Sequence, residues 1–544
     1  MHISTSLVCE DALLPSSSTD IDASNPSVDG KDTNPAASPA ADAGKEGRPR
    51  DDAGGSEPIL QPGHNCWRID KARRASLLID GATYFRRLDE ALRKAKHSIL
   101  IIGWDFDASA QLRPDKEGSE TLGTLLRSLV EEKETLQVQI LIWNLSPVHT
   151  PSAALPLIVG ADWEEHPRIA LHLDNHHPAY GVQHRKIVVI DGVLAFVGGI
   201  DLTINRWDTS RHKPEEPARQ TVNGNSYDPI HDMMMMVDGP VSRSIAELAR
   251  GHWEAATEEK AAIPSAENLP GDGRSGAIED LWPEDLEPDF SDIDIGIART
   301  VPAIEKDREV REIESLTFDA LRSARDTIYI ENQYLSDDKV GDILEERLAE
   351  EDGPEVIAVI TRANQGMIEG WFMGGNLNRM IRRMRQCDRH GRFGIYHPVA
   401  SVDPHLEIMV HAKVLIIDDR LLRVGSSNLN RRSTGLDKEC DLAIEAHDED
   451  CRKVIRKLRD RLLAEHLDCT PDTLAQVSAE EGTLVKVIDR LNTGDKRLID
   501  FPEVTTHGAK KLMPGTRLFD PRGPIALFGR IRRKGSPHRR RKSD

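Results

Sequence analysis

Two histidine, lysine and aspartate patterns of identical spacing, His184-x-Lys186-x4-Asp191 and His411-x-Lys413-x4-Asp418, stand in this chain of 544 residues. Both lie in apolar runs, QHRKIVVIDG and VHAKVLIIDD, and Gly198-Gly199 or Gly425-Ser426 begins seven residues after each Asp. Imidazole is nucleophilic when neutral and acidic when charged near neutral pH, so two histidines can divide attack and proton donation between them. Two lysines can neutralise charge growing on phosphoryl oxygens. The doubled pattern therefore suits the breaking of a phosphodiester.

Such groups must be held by regular elements. Side chains alternate along a strand, so His184 and Lys186 face one way, as do His411 and Lys413. A deeper repeat surrounds them. YFRRLDEALRKAKHSILIIGWDFD opens one half and EIESLTFDALRSARDTIYIENQYL the other, each a helical pattern running into an apolar strand. A second apolar strand follows in each half, VQILIW and VIAVIT, and in the second half GMIEGWFMGGNLNRMIRRMRQ reads as a long helix before FGIYHPV. The alternation predicts an α/β fold of two similar repeats, each a β-sheet flanked by helices, packed as a pseudo-two-fold pair that joins the motifs.

The chain resembles the phospholipase D superfamily, whose HxKxxxxD motif occurs twice in single-chain members. GGIDLTINRWD (198–208), HDMMMMVDGP (231–240), IYIENQYL (328–335) and GSSNLNRRS (425–433) are similar to the phosphatidylcholine-type branch shared by eukaryotes and many bacteria. The likeness runs from about residue 65 to 467. It implies a phospholipase D that hydrolyses a glycerophospholipid to phosphatidate and free head group through a phosphohistidine, with transfer to other alcohols as a variant. The same chemistry would serve a phosphatidyltransferase of the cardiolipin synthase type, or a nuclease or other phosphodiesterase.

Residue roles follow from that resemblance. His184 becomes the nucleophile and His411 the acid and later base, while Lys186, Lys413 and Asn428 bind phosphoryl oxygens. Asn428 follows His411 by 17 residues; Asp201 holds the corresponding place after His184 and, departing from the family's Asn, is left out of the phosphate site. Glu439 fits the acid that orients a histidine, with Asp232 its first-half counterpart at a longer spacing from the motif. Asp191 and Asp418 belong to the catalytic motifs but are expected to fix their loops. Trp104, Trp207, Tyr334 and Trp371 could shape a lipid entrance, although each taken alone reads as core packing.

Composition sets the surroundings. The chain divides into a disordered leader (1–60), a first phospholipase D-like half (61–255), an acidic linker (256–300), a second half (301–468), a C-terminal extension (469–520) and a basic disordered tail (521–544). The leader has no basic n-region, and Glu10 and Asp11 interrupt its apolar start, so no signal peptide is expected. Net charge of −20 disfavours nonspecific nucleic-acid binding, whereas the tail offers anionic lipid a contact. Six cysteines without metal-ligand spacing suggest reduced thiols. Six histidines crowd residues 172–231, yet no HExxH or CxxC frame accompanies them and lysines stand where a metal would neutralise phosphate, so neither metal nor cofactor is expected. The expected partner is a phospholipid at a membrane surface, met by a monomer that is cytoplasmic, peripheral to the membrane or exported without a cleaved signal.

Overall fold

The computed structural model describes residues 57–143, 163–178, 180–262, 280–304, 308–362 and 368–524. The first half runs β1 (Arg68–Ile79), α1 (Gly81–Lys94), β2 (Ser98–Gly103), α2 (Leu122–Glu132), β3 (Gln137–Trp143), β4 (Ile169–Asp174), β5 (Ile187–Ile190), β6 (Leu194–Gly198), β7 (Ile230–His231), β8 (Met233–Asp238) and α3 (Pro240–Thr257). The second runs β9 (Phe290–Val301), β10 (Val310–Arg311), α4 (Glu312–Ser323), β11 (Thr327–Asn332), α5 (Asp338–Ala349), β12 (Glu355–Ile360), α6 (Ile368–Cys387), β13 (Phe393–Ser401), β14 (Leu406–Glu407), β15 (Met409–Val410), β16 (Lys413–Ile417), β17 (Leu421–Gly425), β18 (Glu439–Glu445) and α7 (Glu449–His466). After it come α8 (Pro471–Glu481), α9 (Leu484–Leu491), β19 (Arg497–Asp500) and α10 (Thr516–Phe519).

Strand pairing makes this an α/β fold in which both halves use one recipe. In the first half β2 pairs parallel with β3 and β3 with β4, while antiparallel pairs link β2 to β5, β5 to β6 and β6 to β8. In the second half β11, β12 and β13 are parallel, and antiparallel pairs link β11 to β16, β16 to β17 and β17 to β18. β1 joins β8 to β9, and β9 joins β18, so the halves share continuous strand pairing. Many of these strands are buried along their whole length, which is why they read as unbroken apolar runs.

The core follows the same division. One apolar cluster spans both halves, bringing Val189, Val197 and Met235 together with Val414, Val424 and Leu442. A second, around Tyr84, Phe85 and Phe196, packs α1 and α2 on the first half's sheet; a third, around Leu316, Ile343 and Met380, packs α4, α5 and α6 on the second half's. At ~1.5–3 kcal/mol for each fully buried large aliphatic side chain, the shared cluster binds the two sheets firmly.

Three of the expected segments hold ordered structure. The acidic stretch 256–300 holds a strand: residues 263–279 lie outside the description, but β9 occupies 290–301, with Ile295 and Ile297 fully buried between β1 and β18. Its acidic start misled because Ser291 and Asp292 are exposed before the buried run begins. The end of the expected leader is packed, since Ile59 and Leu60 are buried and the Glu445 carboxylate accepts their N–H groups at 2.9 Å. The C-terminal extension is joined to the second half, with β19 antiparallel to β13. Residues 1–56 and 525–544 lie outside the described chain, as do most of the expected leader and tail. Cys66, Cys387, Cys440, Cys451 and Cys469 are free thiols. Among the described residues no helix is long and apolar enough to cross a membrane.

Candidate active site

Each half completes the other's histidine. Nδ1 of His184 lies 3.0 Å from Oε2 of Glu439, and Nδ1 of His411 lies 2.6 Å from Oδ2 of Asp232. The backbone crosses in the same way: the N–H of His184 donates to the carbonyl of Lys438 at 3.0 Å, and that of His411 to the carbonyl of His231 at 2.8 Å. The short parallel pair β7 and β15 brings His231 and Val410 into register, so Asp232 and His411 must meet. With Nδ1 engaged by a carboxylate, Nε2 of each imidazole is the nitrogen left for chemistry. These rings are also the more exposed parts of an otherwise buried site: the side chains of His184 and His411 are 16% and 10% exposed, against 0% for Glu439 and 3% for Asp232.

Strand register establishes Asp232 and Glu439 as equivalent. Gly198 stands opposite Met234 across β6 and β8, and Gly425 opposite Asp441 across β17 and β18; in each case the acid lies two residues earlier. Their unequal sequence spacing comes from the longer connection after β6. The next residues differ. Ser426 donates its hydroxyl to Glu439 at 2.5 Å, whereas a Cβ on Gly199 would come 2.0 Å from Oδ1 of Asp232. A side chain at 199 would therefore displace the Asp232 carboxylate.

Lys186 forms a buried ion pair with Asp201, Nζ to Oδ2 at 2.9 Å, and Asp201 also accepts the N–H groups of Trp104 and Asp105 at 2.8 and 3.2 Å. Asp201 is the residue that sequence reasoning set aside, and its 17-residue offset from His184 was the signal for it. Lys413 donates to Gln333 Oε1 at 3.5 Å and to the carbonyl of His411. Asn428 is buried; its N–H donates to the Ser433 hydroxyl, and its side-chain Oδ1 has no partner among the described residues.

Electrostatics sets the ionisation of these groups. Burial, with Lys186 and Lys413 close by, pushes the His184 imidazole down to about 3. Burial and the cations Lys413, Arg206 and Lys186 hold His411 well below the ordinary histidine range. Burial brings Lys413 down to about 7 and lifts Glu439 to about 7. It also raises Asp232, while Asp201, despite burial, is held low chiefly by Lys186. The site therefore presents two neutral imidazoles beside the side-chain nitrogens of Lys186 and Lys413.

Asp191 and Asp418 do other work. Asp191 accepts the N–H groups of Lys96, His97 and Ser98 at 2.7–2.8 Å, and Asp418 those of Arg325, Asp326 and Thr327 at 2.8 Å. Both have left-handed backbones, φ 51° and 53°. Each ties its motif turn to the start of a neighbouring strand, β2 or β11, so their inclusion among catalytic residues narrows to a structural one. Trp207 is buried, as core packing requires, and Trp104 and Tyr334 are half-buried; the Trp371 side chain lies outside the description. Trp104 stacks on Trp143 with ring centres 5.9 Å apart and has the Lys186 ammonium 5.9 Å from its own.

Beside Asp232 lies a buried polar cluster that no local sequence pattern announces. His231 sits between Asp80 and Glu331, 3.0 Å from each, and 2.9 Å from Glu465; His212 contacts Asp208 at 2.9 Å and Glu465 at 3.0 Å. Against the effect of burial, these acids hold His212 up to about 9 and His231 well above its ordinary range. Asp80, His212, His231 and Glu465 each offer a ligand atom within 4.8 Å of the others, and His231, Glu331 and His466 form a second such group. Either set could hold a cation in place of the imidazole protons. The other clustered histidines do not join them: His172 packs edge-on against Trp253, and His177 beside Trp143.

Comparison with known proteins gives the geometry its relatives. A family described as cardiolipin synthase, PLD-like domain, matches residues 317–462. Phospholipase D1 of Saccharomyces cerevisiae is 24% identical over 77% of this chain and 30% of its own length; phospholipase D alpha 1 of Nicotiana tabacum is 23% identical over 72% and 64%. The chain thus spans under a third of the yeast protein and under two thirds of the tobacco one. A solved phosphatidylserine synthase of Haemophilus influenzae aligns with 77% of this chain and 96% of its own, at 15% identity and a TM-score of 0.49. The family match lies inside the second half, while the similarity to phospholipase D relatives extends over both halves and so over both histidine and lysine motifs.

Proposed function

We propose that the protein is a phospholipase D, cleaving a glycerophospholipid, phosphatidylcholine first among candidates, to phosphatidate and a free head group. The observation that carries this reading is the crossed pair of carboxylate-bound histidines, each with a motif lysine two residues on. Nε2 of His184 attacks phosphorus, forming a phosphorus–nitrogen bond as the bond to the head-group oxygen breaks. His411 gives that oxygen a proton. Its depressed proton affinity rises when the anionic phosphodiester enters, so substrate loads the acid. Water then gives a proton back to His411 and attacks phosphorus, releasing phosphatidate and His184. Lys186, Lys413 and the side-chain N–H of Asn428 hold the non-bridging oxygens.

Transfer to a lipid alcohol, as in a cardiolipin synthase, is the second reading, favoured by the description of the family matching residues 317–462. It changes only the acceptor in the second step. Incubation of the full chain with phosphatidylcholine, phosphatidylglycerol and DNA, following choline, diphosphatidylglycerol and strand cleavage separately, tests the assignment. Choline release is expected; cleavage of DNA without it would sink the proposal, and transfer product without it would select the second reading.

A further inference from the structure

Asp520 follows α10, far along the chain from either motif, and is 1% exposed. A buried carboxylate is costly unless its oxygens are satisfied, so the groups it binds are informative. Oδ1 accepts the N–H of Arg432 at 2.9 Å and Oδ2 that of Arg431 at 3.3 Å. The Arg432 guanidinium in turn forks onto Asp437, Nε to Oδ2 at 3.0 Å and Nη2 to Oδ1 at 2.9 Å, and donates to the Tyr180 carbonyl at 2.8 Å. Asp437 Oδ1 accepts the N–H of Val182 at 3.0 Å. Val182 and His184 straddle Lys438: its N–H donates to the Val182 carbonyl at 2.8 Å and its carbonyl accepts the His184 N–H at 3.0 Å.

A continuous path therefore leads from residue 520, through the loop after Asn428, to the first-half peptide bearing His184. The segment that starts it is pinned independently. Arg522 reaches Asp337 at 2.5 Å and Glu314 at 2.8 Å, and its carbonyl accepts from Arg311 at 2.9 Å. A Cβ on Gly435 would stand 2.4 Å from that carbonyl, so loop and segment meet with no room for a side chain.

We infer that Asp520 is a positioning residue for His184: residues 516–524 strap the 428–437 loop and, through Arg432 and Asp437, fix the peptide that presents the imidazole to a phosphodiester. The inference rests on the proposed reaction for its consequence, though not for its geometry. A planar guanidinium suits the relay because it engages both oxygens of Asp437, which an ammonium cannot do in the same plane. His411 has no step in this path, since its own peptide is held by His231.

The test uses the full chain labelled with 15N-histidine, as wild type, Asp520→Asn and Arg432→Lys. Both substitutions should shift the ring resonances of His184 while leaving those of His411 in place, and should lower kcat about 10- to 100-fold with KM changed less than about threefold. The spectra need no substrate, so they decide the positioning claim even if the wild type proves inactive on phosphodiesters, a result that would count against the reaction alone. Unmoved His184 resonances in a folded variant would overturn the inference, as would equal displacement of both rings. If Asp520→Asn does not fold, Arg432→Lys decides by the same criteria.

Discussion

Nδ1 of His184 lies 3.0 Å from Oε2 of Glu439, a carboxylate 255 residues further along the chain. The reciprocal contact, His411 to Asp232 at 2.6 Å, spans 179 residues in the opposite sense. Neither half therefore holds a complete histidine–carboxylate pair. Strands β1 and β9, paired with each other and with β8 and β18, join the two halves between which these parts are exchanged.

If the acids fix tautomer and orientation, Asp232→Asn and Glu439→Gln should each lower kcat about 10²- to 10⁴-fold while leaving KM within a few-fold. Steady-state kinetics on a phospholipid assay checks this. Loss confined to KM would mean the acids serve binding instead.

Gly199→Ala places a methyl group where Oδ1 of Asp232 now lies, at 2.0 Å. Asp232 must turn away from His411, and kcat should fall about 10- to 100-fold with the fold retained. Circular dichroism together with turnover provides the check. Wild-type turnover would show that the carboxylate can move without consequence.

Asp191→Ala removes a carboxylate whose two oxygens accept three N–H groups at the start of β2, those of Lys96, His97 and Ser98. Chemical denaturation should show a loss of about 2–3 kcal/mol. The surviving folded fraction should turn over at close to the native rate, because neither motif histidine nor lysine is bonded to this aspartate. A large fall in kcat of fully folded protein would return Asp191 to the chemistry.

Activity against pH should form a bell near neutrality. As pH rises through about 7, Lys413 loses the proton that makes it cationic, and phosphate binding weakens; as pH falls through about 7, Glu439 gains a proton and ceases to orient His184 as a carboxylate. The limbs belong to the coupled site. Lys413→Arg, which cannot deprotonate in this range, should abolish the alkaline limb at a lower plateau. An unchanged alkaline limb in that variant would remove Lys413 from its assigned role.

What sequence could reveal depended on whether the information was local. His184 with Lys186, and His411 with Lys413, were readable because two-residue alternation in a strand is a short-range rule. The pairing of each histidine with the opposite half's acid was not, since it depends on β7 meeting β15 and on Gln183 bridging to Lys438, contacts between segments far apart in the chain. Asp232 looked a poor counterpart of Glu439 because loop length hid equal strand register. β9 was obscured by the acidic residues at its exposed start, although Ile295 and Ile297 alternate as a strand should. Asp201 carried a usable positional signal that its residue type outweighed. The cluster of Asp80, His212, His231 and Glu465 comes from four separated segments and had no such signal.

The division of labour between the histidines meets its most direct test in the covalent intermediate. Full-length protein mixed with short-chain phosphatidylcholine, quenched with alkali during turnover, digested and mapped by mass spectrometry should carry the phosphatidyl group on His184, and His184→Ala should carry none. A group found on His411, or turnover persisting in His184→Ala, would contradict the assignment of His184 as nucleophile.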